Sequence, residues 1–140
     1  MHGLPQSPEQ EELPQEQRPR RPWAQKFRDA LSGLKFGIRG HSSFFVHFFA
    51  AALATAAAFA MECSIQQWCL LLGCIGMVLT AELFNSAIET LHRGLDAETR
   101  ERTWKALDIA AGAVLMASAT AAIVGMLVFG ERLLKMLGPR

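Results

Sequence analysis

Little net charge is left over in this chain. Fourteen Lys and Arg against thirteen Asp and Glu give +1 at neutral pH. That balance supplies no global field for gripping a polyanion, so no nucleic-acid partner is expected. Cysteine is scarce too. Cys63, Cys69 and Cys74 fall in no metal-binding or redox spacing, and Cys69 and Cys74 lie in an apolar run where free thiols behave as small hydrophobes. The N-terminus has no apolar segment of its own, which excludes a signal peptide as the reading of its first residues. A soluble domain is disfavoured as well: of 140 residues, 51% are hydrophobic, and the mean hydropathy is +0.18.

The charges that are present are unevenly placed. Eleven of the fourteen Lys and Arg lie before Phe44 or between His92 and Lys105; the others are Arg132, Lys135 and Arg140. Residues 1–22 are rich in Pro, Gln and Glu, end near the basic cluster Arg18, Arg20 and Arg21, and bury too little apolar surface to fold, so they read as a disordered polar tail. From Trp23 to about residue 40 the apolar residues Trp23, Phe27, Leu31, Leu34 and Ile38 recur every three or four positions, with Lys26, Arg28, Lys35 and Arg39 elsewhere around the helix. This pattern predicts an amphipathic surface helix suited to an anionic membrane interface.

Three spanning helices follow, at about 44–61, 68–91 and 109–130, the last rich in small residues that let membrane helices approach closely. Residues 62–67, without Lys or Arg, form a turn; 92–107 are a polar loop or a helix extension; 131–140 are a short tail. The fold class is therefore all-α, integral to a membrane, with residues 23–140 as one domain. The distribution of Lys and Arg puts the N-terminus and the 92–105 region on the cytoplasmic side of a cell's inner membrane. Trp68 and Trp104 read as interface anchors, and His47, inside the first span, as a helix–helix hydrogen-bonding group with no catalytic role.

The second span ends in Glu82-Leu83-Phe84-Asn85-Ser86-Ala87-Ile88-Glu89. On a helix, positions 82, 85 and 89 project from one side. Polar groups at the end of a membrane helix are costly and mark function or hold helices together. A carboxylate in a partly dry setting can act as a general base, and a second one nearer water can hold Mg²⁺ with its phosphates. Asp108 offers another acid at similar depth, and Arg93, Arg100, Arg102 and Lys105 could screen phosphate. The inventory fits phosphoryl transfer to a membrane alcohol as well as it fits structural hydrogen bonding. One chain with three spans is expected to be too small to bury Glu82 alone. Oligomerisation through Ala110, Ala113, Ala117 and Ala121 would then close the site, although ordinary packing within one chain accounts for any one of these alanines equally well.

The run Glu82-x-x-Asn85-Ser86-Ala87-Ile88-Glu89, followed by Asp108-Ile109-Ala110-Ala111-Gly112-Ala113-Val114-Leu115, resembles the prokaryotic diacylglycerol kinase family, which includes the undecaprenol kinases. The resemblance covers roughly Gln25 to Phe129. It implies a small homotrimeric membrane enzyme that transfers the γ-phosphate of ATP, carried as MgATP, to a membrane lipid alcohol (diacylglycerol or undecaprenol), its active site shared between neighbouring subunits. It further implies Glu82 as the base on the lipid hydroxyl, Asn85 as the residue that orients it, and Glu89 as a ligand of the Mg²⁺ ion. Glu98, Thr99 and Arg100 fall where the family's loop contacts nucleotide, Asp108 matches the nucleotide-site aspartate, and Gly33 a glycine of the surface helix.

The chain departs from that pattern in four places. His41 falls where the family has a second metal-binding glutamate, and imidazole suits Mn²⁺ or Zn²⁺ better than Mg²⁺. Arg93 stands for an aspartate and Leu107 for a lysine, with Lys105 the nearest substitute on a different helix face. Pro22 falls at the surface helix's arginine. The alternative reading is a kinase-fold protein with weakened or lost ATP binding that binds lipid or a partner.

Overall fold

The computed structural model describes residues 22–40 and 43–138. The polar tail before Pro22, and His41 with its expected metal role, lie outside the described residues. The rest is helical: α1 spans Trp23–Gly40, α2 Ser43–Ala60, α3 Ile65–Arg93 and α4 Ala97–Leu137, with no strand among the described residues. The surface helix and three spans expected for an all-α membrane protein are present: α2, α3 and α4 are each long and apolar enough to cross a bilayer.

α1 keeps Trp23, Phe27, Leu31 and Leu34 exposed in the single chain, a face for a membrane surface to cover. Only its C-terminal end packs inward, where Gly37 and Ile38 are half-buried. A Cβ at Gly37 would sit 2.9 Å from Cδ2 of Leu83, so a larger residue there would make the Leu83 side chain shift where α1 meets α3. Gly33 has open space around it, and nothing among the described residues requires a glycine there.

The α2–α3 turn is set by local chemistry. Cys63 N–H donates to the Ala58 carbonyl (3.0 Å) and Glu62 N–H to Phe59 (3.1 Å), with Glu62 left-handed at φ 50°. This is a Schellman ending, which normally favours glycine at the Glu62 position. Cys63 packs against buried Ala58, the apolar contact that accompanies such an ending. Ser64 then starts α3 with a capping box: its Oγ accepts from Gln67 N–H, and the Gln67 side chain accepts from Ser64 N–H. Buried Gln67 also donates to Glu131 (3.2 Å), tying the start of α3 to the far end of α4. Ala58, Leu71 and Val128 form the core at this end, and Phe59 meets Trp68 edge-on at 4.7 Å.

At the other end Gly94 closes α3, and Asp96 caps α4 by accepting from Thr99 N–H (3.0 Å). With that cap, no proline before Pro139, and the Arg102–Glu98 pair at 2.6 Å supporting its first turns, the helix runs unbroken for 41 residues. Residues 97–107 are thus the extension rather than the loop of the two arrangements expected, and the short tail after 130 continues the helix to Leu137. At ~1.5 Å per residue α4 is about 60 Å long, and it projects beyond a ~30 Å hydrocarbon layer.

Candidate active site

Leu71, Val78, Glu82 and Ser86 form the buried face of α3. Glu82 is thus buried, while Asn85 and Glu89, about one and two turns further along the same side of α3, are half-buried and line a cavity against α4. The side chain of Glu82 is 2% exposed. One of its oxygens accepts from the hydroxyl of Ser43, at the start of α2; the other lies 3.7 Å from Nε2 of His47, one turn further on. A carboxylate removed from water needs such partners. The expectation that one chain could not bury Glu82 is thereby corrected. Neighbouring Phe44 is buried as Glu82 is, so the first turn of α2 packs down and covers the acid without help from a second copy.

Further along α3, Asn85 donates to Glu89 Oε1 (3.2 Å) and Arg93 pairs with Glu89 Oε2 (3.2 Å). The Glu89 side chain is 39% exposed and that of Arg93 61%. Among the hydrogen bonds of the described residues, the Asn85 amide reaches Glu89 and not Glu82. These groups open onto a cavity of about 370 Å³ between α3 and α4, lined by Asn85, Glu89, His92, Arg93, Leu107 and Asp108, with Ala111 at its wall. Two carboxylates, an amide, a guanidinium and an imidazole thus converge. His92 was missed in the sequence, although it extends the 85–89 stripe by one more helical step; its Nε2 lies 3.2 Å from the Arg100 carbonyl.

The loop residues expected to contact nucleotide do not line this cavity. Glu98 pairs with Arg102, and Thr99 carries the capping N–H. Arg100 donates to the carbonyls of Arg93 (2.9 Å) and Leu95 (3.2 Å), satisfying acceptors at the end of α3. Lys105 lies over the Trp104 ring, 5.8 Å from its centroid, while Leu107 faces the cavity. The two thus point apart, as helical spacing requires. Beyond the helices Asp96, fully exposed, has its carboxyl held below the usual range by the backbone N–H of Thr99, with the Thr99 hydroxyl adding to it.

Mg²⁺ takes one or two carboxylates and otherwise keeps water and phosphate oxygens. Glu89 and Asp108 meet that need once Arg93 yields its hold on Glu89. Among the described residues no three His, Cys, Asp or Glu side chains cluster as a metal site. A second, apolar cavity of about 490 Å³ lies between α2, α3 and α4, with His47 at its edge. Glu82 lines neither of these two cavities.

The family model described as prokaryotic diacylglycerol kinase matches residues 28–129. No curated protein and no solved structure shows a significant match.

Proposed function

The chain belongs to the prokaryotic diacylglycerol kinase family, and we propose that it is a membrane lipid kinase, moving the γ-phosphoryl group of MgATP to the hydroxyl of diacylglycerol or undecaprenol. The observation that carries this reading is the family match over residues 28–129, with which α3 agrees: it sets a buried carboxylate, Glu82, one to two turns from a cavity lined by Asn85, Glu89 and Asp108. Glu82 takes the proton of the lipid hydroxyl as its oxygen attacks phosphorus. Glu89 and Asp108 face the nucleotide's phosphates, with Asn85 fixing the rotamer of Glu89. Mg²⁺ carried by ATP supplies neutralisation of phosphate charge. The chemistry is then mainly positioning and charge stabilisation.

The α3–α4 turn and the N-terminus face the cytoplasm in this reading, following the Lys and Arg bias. Three copies assemble in this reading, but not through the whole small-residue stripe of α4: Ala110 and Ala117 are buried within the chain and Ala121 lines its apolar cavity, which leaves only Ala113 of the four exposed for a neighbour. Glu98, Thr99, Arg100 and Lys105 reach nucleotide only from that assembly or after the turn rearranges.

One observation favours a second reading, a lipid- or partner-binding protein with weakened nucleotide affinity: Arg93 already sits on the carboxylate that Mg²⁺ requires. The two readings separate in one assay. Purified protein in detergent is given γ-labelled ATP with Mg²⁺, and diacylglycerol and undecaprenol side by side. Labelled lipid supports the kinase; no label in either lipid, with lipid still bound, supports the second reading.

A further inference from the structure

Among the described residues His47 both borders the apolar cavity and approaches the carboxylate of Glu82. We propose that His47 and Glu82 together clamp the hydroxyl of a lipid alcohol whose hydrocarbon chain lies in the cavity between α2, α3 and α4, making His47 an alcohol-binding residue. This rests on the kinase reading and deepens it. The 3.7 Å between Nε2 of His47 and the carboxylate is too long for a direct hydrogen bond. An oxygen about 2.8 Å from each closes the triangle, and a hydroxyl can accept from Nε2–H while donating to Glu82. Ser43 donates to the other oxygen of Glu82, which leaves the His47-facing oxygen to accept from the lipid hydroxyl.

The cavity leads away from His47 between the apolar faces of α2, α3 and α4. Its walls carry the small residues Ala50, Ala51 and Ala54 of α2 and Ala121, Ala122 and Gly125 of α4, and larger apolar side chains such as Leu71, Ile75 and Phe129 complete an apolar lining. From His47 to Ala54 the α2 wall runs about 10 Å at ~1.5 Å per residue. Ser118, whose buried Oγ has no partner among the described residues, also lines it. In the transfer step the hydroxyl proton passes to Glu82, the alcohol oxygen bonds to the γ-phosphorus, and the bond from that phosphorus to the ADP oxygen breaks. His47 keeps its proton throughout, so its part is to bind and aim the oxygen.

Two readouts test this, one of them independent of catalysis. In the kinase assay His47→Leu should lower kcat/KM for the lipid about ten- to a hundredfold, the range for losing a hydrogen bond to a polar reacting group, with KM for MgATP unchanged. His47→Gln, which keeps an N–H donor, should recover most of the loss. The second readout uses Cys74, which lines the same cavity. In full-length protein carrying Cys63→Ser and Cys69→Ser, farnesol at ten times its Kd should slow labelling of Cys74 by an alkyl methanethiosulfonate about tenfold. The same farnesol concentration should protect His47→Leu far less. If farnesol protects Cys74 in a His47-dependent way but no lipid is phosphorylated, the clamp stands and the kinase reading fails. If lipid is phosphorylated while His47→Leu is neutral and Cys74 is unprotected, the clamp is overturned.

Discussion

Arg93 holds the carboxylate that a kinase of this kind needs for its metal, so removing it should help rather than harm. In the structure its guanidinium lies 3.2 Å from Glu89, and both side chains reach water. At that separation two unit charges attract by about 1.3 kcal/mol in bulk water, and a solvent-exposed pair usually retains ~0.2–1 kcal/mol of this. A doubly charged ion entering the same cavity also meets repulsion from the arginine. Together these terms come to about 1–2 kcal/mol, or roughly a five- to thirtyfold change in half-saturating Mg²⁺. Arg93→Ala is therefore expected to lower the Mg²⁺ requirement by that factor, read from a metal titration of phosphoryl transfer at fixed ATP. The effect should shrink with added salt, because the pair is exposed to screening. A raised Mg²⁺ or ATP requirement in Arg93→Ala would refute this reasoning and make the guanidinium a phosphate-binding group.

Glu89→Gln removes the carboxylate both Arg93 and the metal compete for, and should raise the Mg²⁺ requirement steeply; an unchanged titration excludes a ligand role. Glu62→Gly replaces a left-handed residue with one that adopts φ 50° freely, and should stabilise the protein by about 1 kcal/mol in reversible denaturation in detergent. The cap at Asp96 makes a signed prediction with pH. Its carboxyl is depressed in the folded chain, so the contribution is present above the unfolded pKa and is lost as pH falls through the lower folded value. The thermal stability of Asp96→Ala should thus converge on that of wild type in strong acid and fall below it toward neutrality; parallel profiles would contradict the cap.

Much of this architecture was legible because membranes impose simple rules. Apolar runs long enough to cross a bilayer announced α2, α3 and α4, and the three- to four-residue recurrence of Trp23, Phe27, Leu31 and Leu34 announced α1. The grouping of Asn85, Glu89 and Asp108 followed from their positions at matching depth on two antiparallel helices. What helical spacing could not give is the neighbour met at each level. Positions 82, 85 and 89 lie on one side of α3, yet Glu82 meets Ser43 and His47 of α2, while the other two, one and two turns further along, line a cavity against α4. The roles of Ser43 and His47 were hidden for the same reason, since they lie 39 and 35 residues from Glu82 in the chain. The length of α4 was hidden by a different cause: its polar first turns resemble a loop until the Asp96 cap is recognised.

The central claim is that the buried carboxylate of Glu82 removes the proton of a lipid hydroxyl, and Glu82→Gln tests it most directly. The amide keeps an oxygen to accept from Ser43 while losing the basic group, so the protein should insert and bind MgATP as before. Given γ-labelled ATP, diacylglycerol and undecaprenol, wild type should label a lipid and Glu82→Gln should label neither. Undiminished transfer by Glu82→Gln would contradict the account.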